Sequence, residues 1–269
     1  MIFTDLDGTL LDHYSYSSEP ALPAIARLQS ANVPIIPTTS KTYAEVSQIV
    51  KSLGLNSPII IENGAAIYLP IQVAKCLELS EIDEQQAFYK VSFTKTHDHW
   101  VSLLAKMEAE FGELYTSFTD LGVNGIVEYT GLSPEDAKLA ANREYGEPVV
   151  WHGNEQQKQA FVAALTNLGA SPVEGGRFIH ICGNCSKGMA LTWLASKYQQ
   201  YILDQAPITI ALGDGKNDIA MLEVASIAVK VRSPSHQPPA LARTDKVITT
   251  QGFGPEGWAE AINQIFSLN

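Results

Sequence analysis

FTDLDGTLLD fills residues 3–12, and the placing of its acids decides how the rest of the chain is read. Ile2 and Phe3 lead straight into Asp5, Asp7 and Asp12, with Gly8-Thr9 between them. Acids usually lie on surfaces or cap helices. Here two stand one residue apart at the end of what reads as a short buried strand, Ile2 to Asp5. In an open parallel sheet, ligands bind beyond the carboxyl ends of the strands. The test of such a site is whether other strands end in the same way.

Several do. Val33 to Thr38 reads as a strand despite Pro34 and Pro37, and it delivers Thr39, Ser40 and Lys41. Ile208 to Leu212 is a buried run that breaks at Gly213-Asp214-Gly215, with Asn217 and Asp218 opening a helix near 217–225. Further strands are expected at 59–61, ending in Glu62-Asn63-Gly64, at 227–231 and at 246–249. Helices are expected over 19–31 with Ser18 as cap, over 42–53 stopped by Gly54, over 186–198 with Lys187 at its start, and over 258–266. Apolar runs without polar alternation suit strands covered on both faces, hence a doubly wound, mostly parallel α/β sheet of Rossmann-like type.

The middle of the chain reads differently. Residues 87–93 look like a strand with one wet face. Helices are expected at 97–111, 133–144 and 154–168, and short strands at 125–129, 148–152 and 177–182. Antiparallel strands with helices on one side make a separate α+β layer. The expected organisation is a core domain of residues 1–84 and 183–269 with an inserted cap domain of residues 85–182.

The chain has 269 residues, 45% apolar and 17% charged, which suits an ordinary soluble protein with a sizeable core. Its formal net charge of −11 opposes nucleic acid and anionic lipid, so neither is an expected partner. No apolar run reaches the length of a membrane span and no secretory leader is apparent. Three cysteines, Cys76, Cys182 and Cys185, form no disulfide framework and fit a cytoplasmic protein, either monomer or homodimer. Cys182-Gly-Asn-Cys185 spells C-x-x-C, but a zinc site needs two further ligands; a redox pair and a plain turn remain the other readings.

Four carboxylates at one rim repel. Two unit charges 4 Å apart cost about 4 kcal/mol at an effective dielectric of 20. A hard divalent cation relieves this, and oxygen ligands favour Mg²⁺, which also accepts a substrate phosphate. The expected metal set is Asp5, Asp7 through its backbone carbonyl, Asp214 and Asp218, the last also orienting metal waters and the lysine together with Asn217. Asp5 is the expected nucleophile toward phosphorus, forming an aspartyl phosphate. Asp7 then serves as acid for the departing alkoxide and as base for water. Thr39 donates to a phosphate oxygen, and Lys187 offsets developing charge.

D-x-D-G-T-L at 5–10, Thr39, Lys187 and G-D-G-x-N-D at 213–218 together resemble the haloacid dehalogenase superfamily, in that superfamily's order and over nearly the whole chain. The long insert resembles its large α/β cap. Thr39-Ser40-Lys41-Thr42, Glu62-Asn63-Gly64-Ala65, Thr130-Gly131-Leu132-Ser133, Gly175 to His180 and Gly254-Pro255-Glu256-Gly257-Trp258 resemble the mannosyl-3-phosphoglycerate phosphatase branch. The resemblance implies Mg²⁺-dependent release of phosphate from a small phosphorylated sugar acid to give mannosylglycerate. A broader sugar-phosphate phosphatase and a non-catalytic phosphosugar-binding protein are the alternatives.

Plainer roles compete at several positions. Thr39, Ser40 or Thr42 could cap the next helix. Lys41 is either a solvated helix residue or a substrate contact. Arg177 suits a glycerate carboxylate or a structural ion pair, and His180, three residues on, need not face the same side. The substrate-binding set is Thr39, Ser40, Lys41, Arg177, His180 and Asn217. Glu62-Asn63-Gly64 reads equally as a tight turn or a substrate contact. His97-Asp98-His99 reads better as a helix start than as a metal pair.

Overall fold

A computed structural model describes residues 1–174 and 178–267. The first strand, β1 (Ile2–Thr4), is three residues long, wholly buried and followed by the turn that carries Asp5 and Asp7. A 3-10 turn at Glu19–Ala21 then leads into α1 (Leu22–Ser30). Ser18 makes no side-chain capping bond, contrary to expectation. The turn starts on Glu19-Pro20, and proline needs no donor partner at a helix start. β2 (Ile35–Pro37), α2 (Tyr43–Ser52) and β3 (Ile59–Ile61) follow as the apolar pattern predicts. Two elements of this stretch were not foreseen, β4 (Ala66–Pro70) and α3 (Ile71–Cys76). β5 (Phe88–Ser92) joins β3 and β4 in one sheet.

The next stretch opens with α4 (His97–Leu104) and α5 (Glu108–Phe111), which divide what periodicity reads as one helix. After β6 (Tyr115–Ser117) comes α6 (Phe118–Thr130). The strand expected at 125–129 is therefore helix. Ser117 caps its start by accepting from the Asp120 N–H, and Phe118 and Ile126 pack with Ala137. That tertiary burial overrides the β preference of the Gly-Ile-Val run. α7 (Pro134–Ala141), β7 (Glu147–Trp151), α8 (Glu155–Asn167), the two-residue β8 (Val173–Glu174) and β9 (Ile179–Ile181) complete this part.

The last third contains α9 (Lys187–Tyr201), β10 (Ile210–Gly213), α10 (Ile219–Val224), β11 (Ile227–Arg232), β12 (Val247–Phe253) and α11 (Gly254–Ser267). Five strands make a parallel sheet in the order β12-β11-β10-β1-β2. Ile2 stands level with Ile210 on one side and Ile35 on the other. Pro37 is tolerated because β2 lies at the end of this sheet. β3 was expected to be parallel by its apolar run. It runs antiparallel to β4, yet a parallel bridge between Thr38 and Ile60 ties it to the end of β2.

The chain divides into two compact units. One comprises Met1–Ser40, Val50–Val91 and the part from Ser186 onward, with the parallel sheet at its centre. The other comprises Lys41–Ile49 and Ser92–Cys185, built on the antiparallel sheet β6-β7-β9-β8. In this second unit Ile179 and Ile181 join Trp100, Phe161 and Leu165 in the main core. Phe178, one residue out of phase, packs with the Phe118 cluster on α6 and α7. Both faces of β9 thus carry helix-borne apolar residues, whereas the sequence suggests helices on one side. This is an α/β fold with a separate antiparallel cap unit.

Candidate active site

β1 is the middle strand between β10 and β2, and this fixes Asp5. The Asp5 N–H continues the ladder by donating to the Leu212 carbonyl at 2.9 Å. Its own carbonyl accepts from the Thr4 hydroxyl, which in turn accepts from Trp258 Nε1 at 3.0 Å. The indole on α11 therefore anchors the strand end from beneath. β10 runs beside β1 and ends at Gly213, so Asp214 emerges next to Asp5 for the same reason. Lys187 is the first residue of α9, whose start is capped by Ser186 accepting from the Met189 N–H.

Lys187 is fully buried and lies between two carboxylates, with Nζ 2.7 Å from Asp5 Oδ1 and 2.6 Å from Asp218 Oδ1. Asp218 Oδ2 accepts from the backbone N–H groups of Asp214 and Gly215 at 3.0 and 2.9 Å. Both oxygens of Asp218 thus help to fix the lysine and the Gly213–Gly215 loop. Asp214 Oδ1 accepts from the Thr9 hydroxyl at 3.1 Å, and Asp214 Oδ2 lies 3.2 Å from His236 Nε2. Gly8 makes room for this carboxylate. Its φ is +74°, and a Cβ there would stand 2.6 Å from Asp214 Oδ2.

Asp5, Asp214 and Asp218 offer carboxylate oxygens within 4.8 Å of one another, the single such group of metal-ligating side chains among the described residues. Burial pushes the Asp5 carboxyl up to about 7, with Asp218 and Asp7 adding to the rise and Lys187 opposing it. Burial also raises Asp214 to about 6, helped by the charge on Asp5 and resisted by His236. Asp218 is raised by burial despite the lysine. Burial alone would lower the Lys187 ammonium, but Asp218 and Asp5 outweigh it and hold the group above its ordinary value. One lysine does not neutralise three buried acids, so the cluster has the chemistry of a divalent-cation site with hard oxygen donors.

The remaining expected residues fall in several places. Asp7 is half-buried in the turn after β1. Thr39 is buried just past β2, its N–H donating to the Ile60 carbonyl and its carbonyl accepting from the Asn63 N–H. Asn217 donates its side-chain amide to Asn63 Oδ1 at 3.1 Å. Ser40 is half-buried. Thr42 caps α2: its hydroxyl accepts from the Glu45 N–H and donates to the Leu139 carbonyl, while Glu45 accepts from the Thr42 N–H. Lys41 pairs with Glu45 at 3.5 Å and belongs to the second unit. His180 also belongs there, on β9; burial and the Arg143 charge push its imidazole down to about 3, so it is neutral. Arg177 lies outside the described residues.

Thr9 and His236 touch Asp214 and were not among the expected site residues, while Asn63, weighed as a turn or a substrate contact, meets Asn217 and Thr39. Thr9 was legible within D-x-D-G-T, and His236 follows the carboxyl end of β11, where parallel strands present ligands. Cys182 and Cys185 are buried, join no disulfide and no group of three metal ligands among the described residues. His97 opens α4, and its Nε2 lies 2.6 Å from Glu147 Oε2, as a helix start rather than a metal pair. No described helix is long and apolar enough to cross a membrane.

A family profile described as haloacid dehalogenase-like hydrolase matches residues 2–251. Among solved structures, a phosphatase of the haloalkanoate superfamily from Bacteroides thetaiotaomicron matches at 17% identity and a TM-score of 0.68, covering 100% of this chain and 95% of its own. A subclass IIB sugar phosphatase matches at 15% identity and a TM-score of 0.65, covering 100% and 99%. The sucrose-phosphatase of Synechocystis sp. PCC6803, solved with sucrose and phosphate, matches at 16% identity and a TM-score of 0.61, covering 98% and 97%. At these identities the likeness is one of fold.

Proposed function

Because the chain belongs to the haloacid dehalogenase-like hydrolases, we propose that it is a phosphomonoester hydrolase in which Asp5 accepts the phosphoryl group. The observation that carries this reading is the burial of Asp5 in salt-bridge contact with Lys187, beside Asp214. A carboxylate so placed is fixed at the end of a strand, partly desolvated and faced by a cation. Those features serve nucleophilic attack on an anionic phosphorus centre.

The chemistry balances through this chain's own groups. An Asp5 oxygen attacks phosphorus while the bond to the substrate alkoxide breaks. Asp7 gives that alkoxide its proton. Asp7 then takes a proton from water as the water attacks the aspartyl phosphate, which restores the Asp5 carboxylate and frees phosphate. Lys187 compensates the charge on the phosphoryl oxygens, and Thr39 donates to one of them. Asp218 holds the lysine and the loop rather than reacting. Asp5, Asp214 and the Asp7 backbone carbonyl would hold a magnesium ion, which supplies charge compensation for the phosphate when bound.

The substrate we favour is a small phosphorylated sugar acid, with mannosyl-3-phosphoglycerate first because of the branch motifs quoted above. The antiparallel unit, carrying Lys41 and His180, is proposed as the part that selects it, and a cytoplasmic setting follows from the sparse cysteines. Phosphate release is measured with Mg²⁺ and with EDTA, on the wild type and on Asp5→Asn. Turnover that survives the Asp5→Asn change would remove the covalent step. Substrate binding without any release would make this a phosphosugar-binding protein. Comparing kcat/KM for mannosyl-, glucosyl- and unglycosylated 3-phosphoglycerate tests the substrate, and equal values would withdraw it.

A further inference from the structure

The turn after β3 is buried and wound left-handed. Glu62, Asn63 and Gly64 have φ values of 45°, 59° and 92°, and Glu62 and Asn63 are 2% and 7% exposed. Two consecutive non-glycine residues in this region are unfavourable, and such a conformation persists only where its surroundings over-determine it. Here the surroundings are three other parts of the candidate site, all in the same compact unit.

The Asn63 N–H donates to the Thr39 carbonyl at 2.8 Å, and the Thr39 N–H donates to Ile60 at 3.0 Å, so the loop after β2 is clamped to β3. Gly64 packs on the start of α9. A Cβ there would collide with the Ser186 carbonyl and stand 2.8 Å from the Lys187 backbone nitrogen. Asn63 Oδ1 accepts from the Asn217 amide at 3.1 Å, one residue before the Asp218 that holds Lys187. A turn of ordinary hand could not send one N–H to Thr39, one side chain to Asn217 and one bare Cα against Lys187.

We propose that Glu62–Gly64 is a bracket that sets Thr39, Lys187 and Asn217 relative to one another, and that Asn63 is a positioning residue which orients the Asn217 amide. Its effect on turnover rests on the phosphatase reading above; its effect on Asn217 does not.

The test uses Asn63→Gly, because glycine adopts the positive φ without strain and removes only the side-chain acceptor. With the proposed substrate, kcat/KM should fall about ten- to hundredfold, the usual cost of losing an outer orienting partner, with the melting temperature nearly unchanged. Because Asn63 acts through Asn217, Asn63→Gly combined with Asn217→Ala should be no slower than Asn217→Ala alone. A purely structural residue would lower stability and give losses that multiply. In ¹H–¹⁵N spectra the Asn217 side-chain amide, assigned with Asn217→Ala, should shift in Asn63→Gly. Multiplying losses, activity within about twofold of wild type, or an unmoved Asn217 amide would each overturn the proposal. A wild type that releases no phosphate would overturn the phosphatase reading instead, and the amide spectrum would still judge the bracket.

Discussion

Lys187 carries the electrostatics of the site. It is a buried cation held by Asp5 and Asp218 at 2.7 and 2.6 Å. Lys187→Met keeps most of the volume and removes the charge. Leaving its partners uncompensated should cost about 3–5 kcal/mol in urea unfolding, and phosphate release should fall at least about 100-fold. The acids also make stability depend on pH. In protein treated with EDTA, Asp5 and Asp214 titrate near 7 and 6 when folded, against an ordinary value of 3.8. Across that window the unfolded chain has released these protons and the folded chain keeps them, so stability falls as pH rises. Melting temperature should therefore drop from about pH 4 to about pH 7, and Asp5→Asn should flatten the slope. Mg²⁺ added at the upper end should restore the loss by binding the folded state alone. A melting temperature insensitive to both pH and Mg²⁺ would remove the cation site. Asp5 and Asp214 were legible because each stands at the end of a buried apolar run, and Lys187 and Asp218 because each stands at an expected helix start. His236 was not, because its contact with Asp214 depends on where a Pro- and Ser-rich loop turns back.

At the level of elements, helix starts are set locally and strand partners are not. α8 begins with a capping box in which Asn154 accepts from the Gln157 N–H and Gln157 accepts from the Asn154 N–H. Asn154→Ala should cost about 1 kcal/mol of stability and leave kcat/KM as it was, since the change removes a cap and touches none of the proposed catalytic groups. A drop in kcat/KM at unchanged stability would contradict this. The helix this cap opens lies close to the expected 154–168. The helix at Phe118–Thr130 was read in part as strand, because Gly-Ile-Val has β character and the packing of Ile126 against Ala137 lies outside any local window. β4 and α3 were missed for a similar reason. Ala66–Pro70 becomes a strand by pairing antiparallel with β3, a partner that apolar content alone does not specify.

For the whole molecule the governing quantity is a net charge of −11 facing the proposed substrate, whose phosphate and carboxylate are both anionic. At fixed Mg²⁺, raising ionic strength shortens the Debye length from about 30 Å at 0.01 M to about 8 Å at 0.15 M. The repulsion at encounter weakens, so kcat/KM should rise severalfold while kcat holds. A fall would mean that the local field at the site, rather than the global charge, governs approach. The sequence by itself determined the parallel α/β core, the chemistry available at its rim and the order in which the acids, the threonine and the lysine arrive. It could do so because alternation, chain breaks and residue type are properties of short stretches. Tertiary structure alone decided that Asp218 spends its oxygens on Lys187 and the loop, that β3 pairs antiparallel with β4, and that Glu62–Gly64 winds left-handed against Ser186 and Lys187. Those outcomes come from groups far apart in the chain competing for the same buried space, which no short stretch contains.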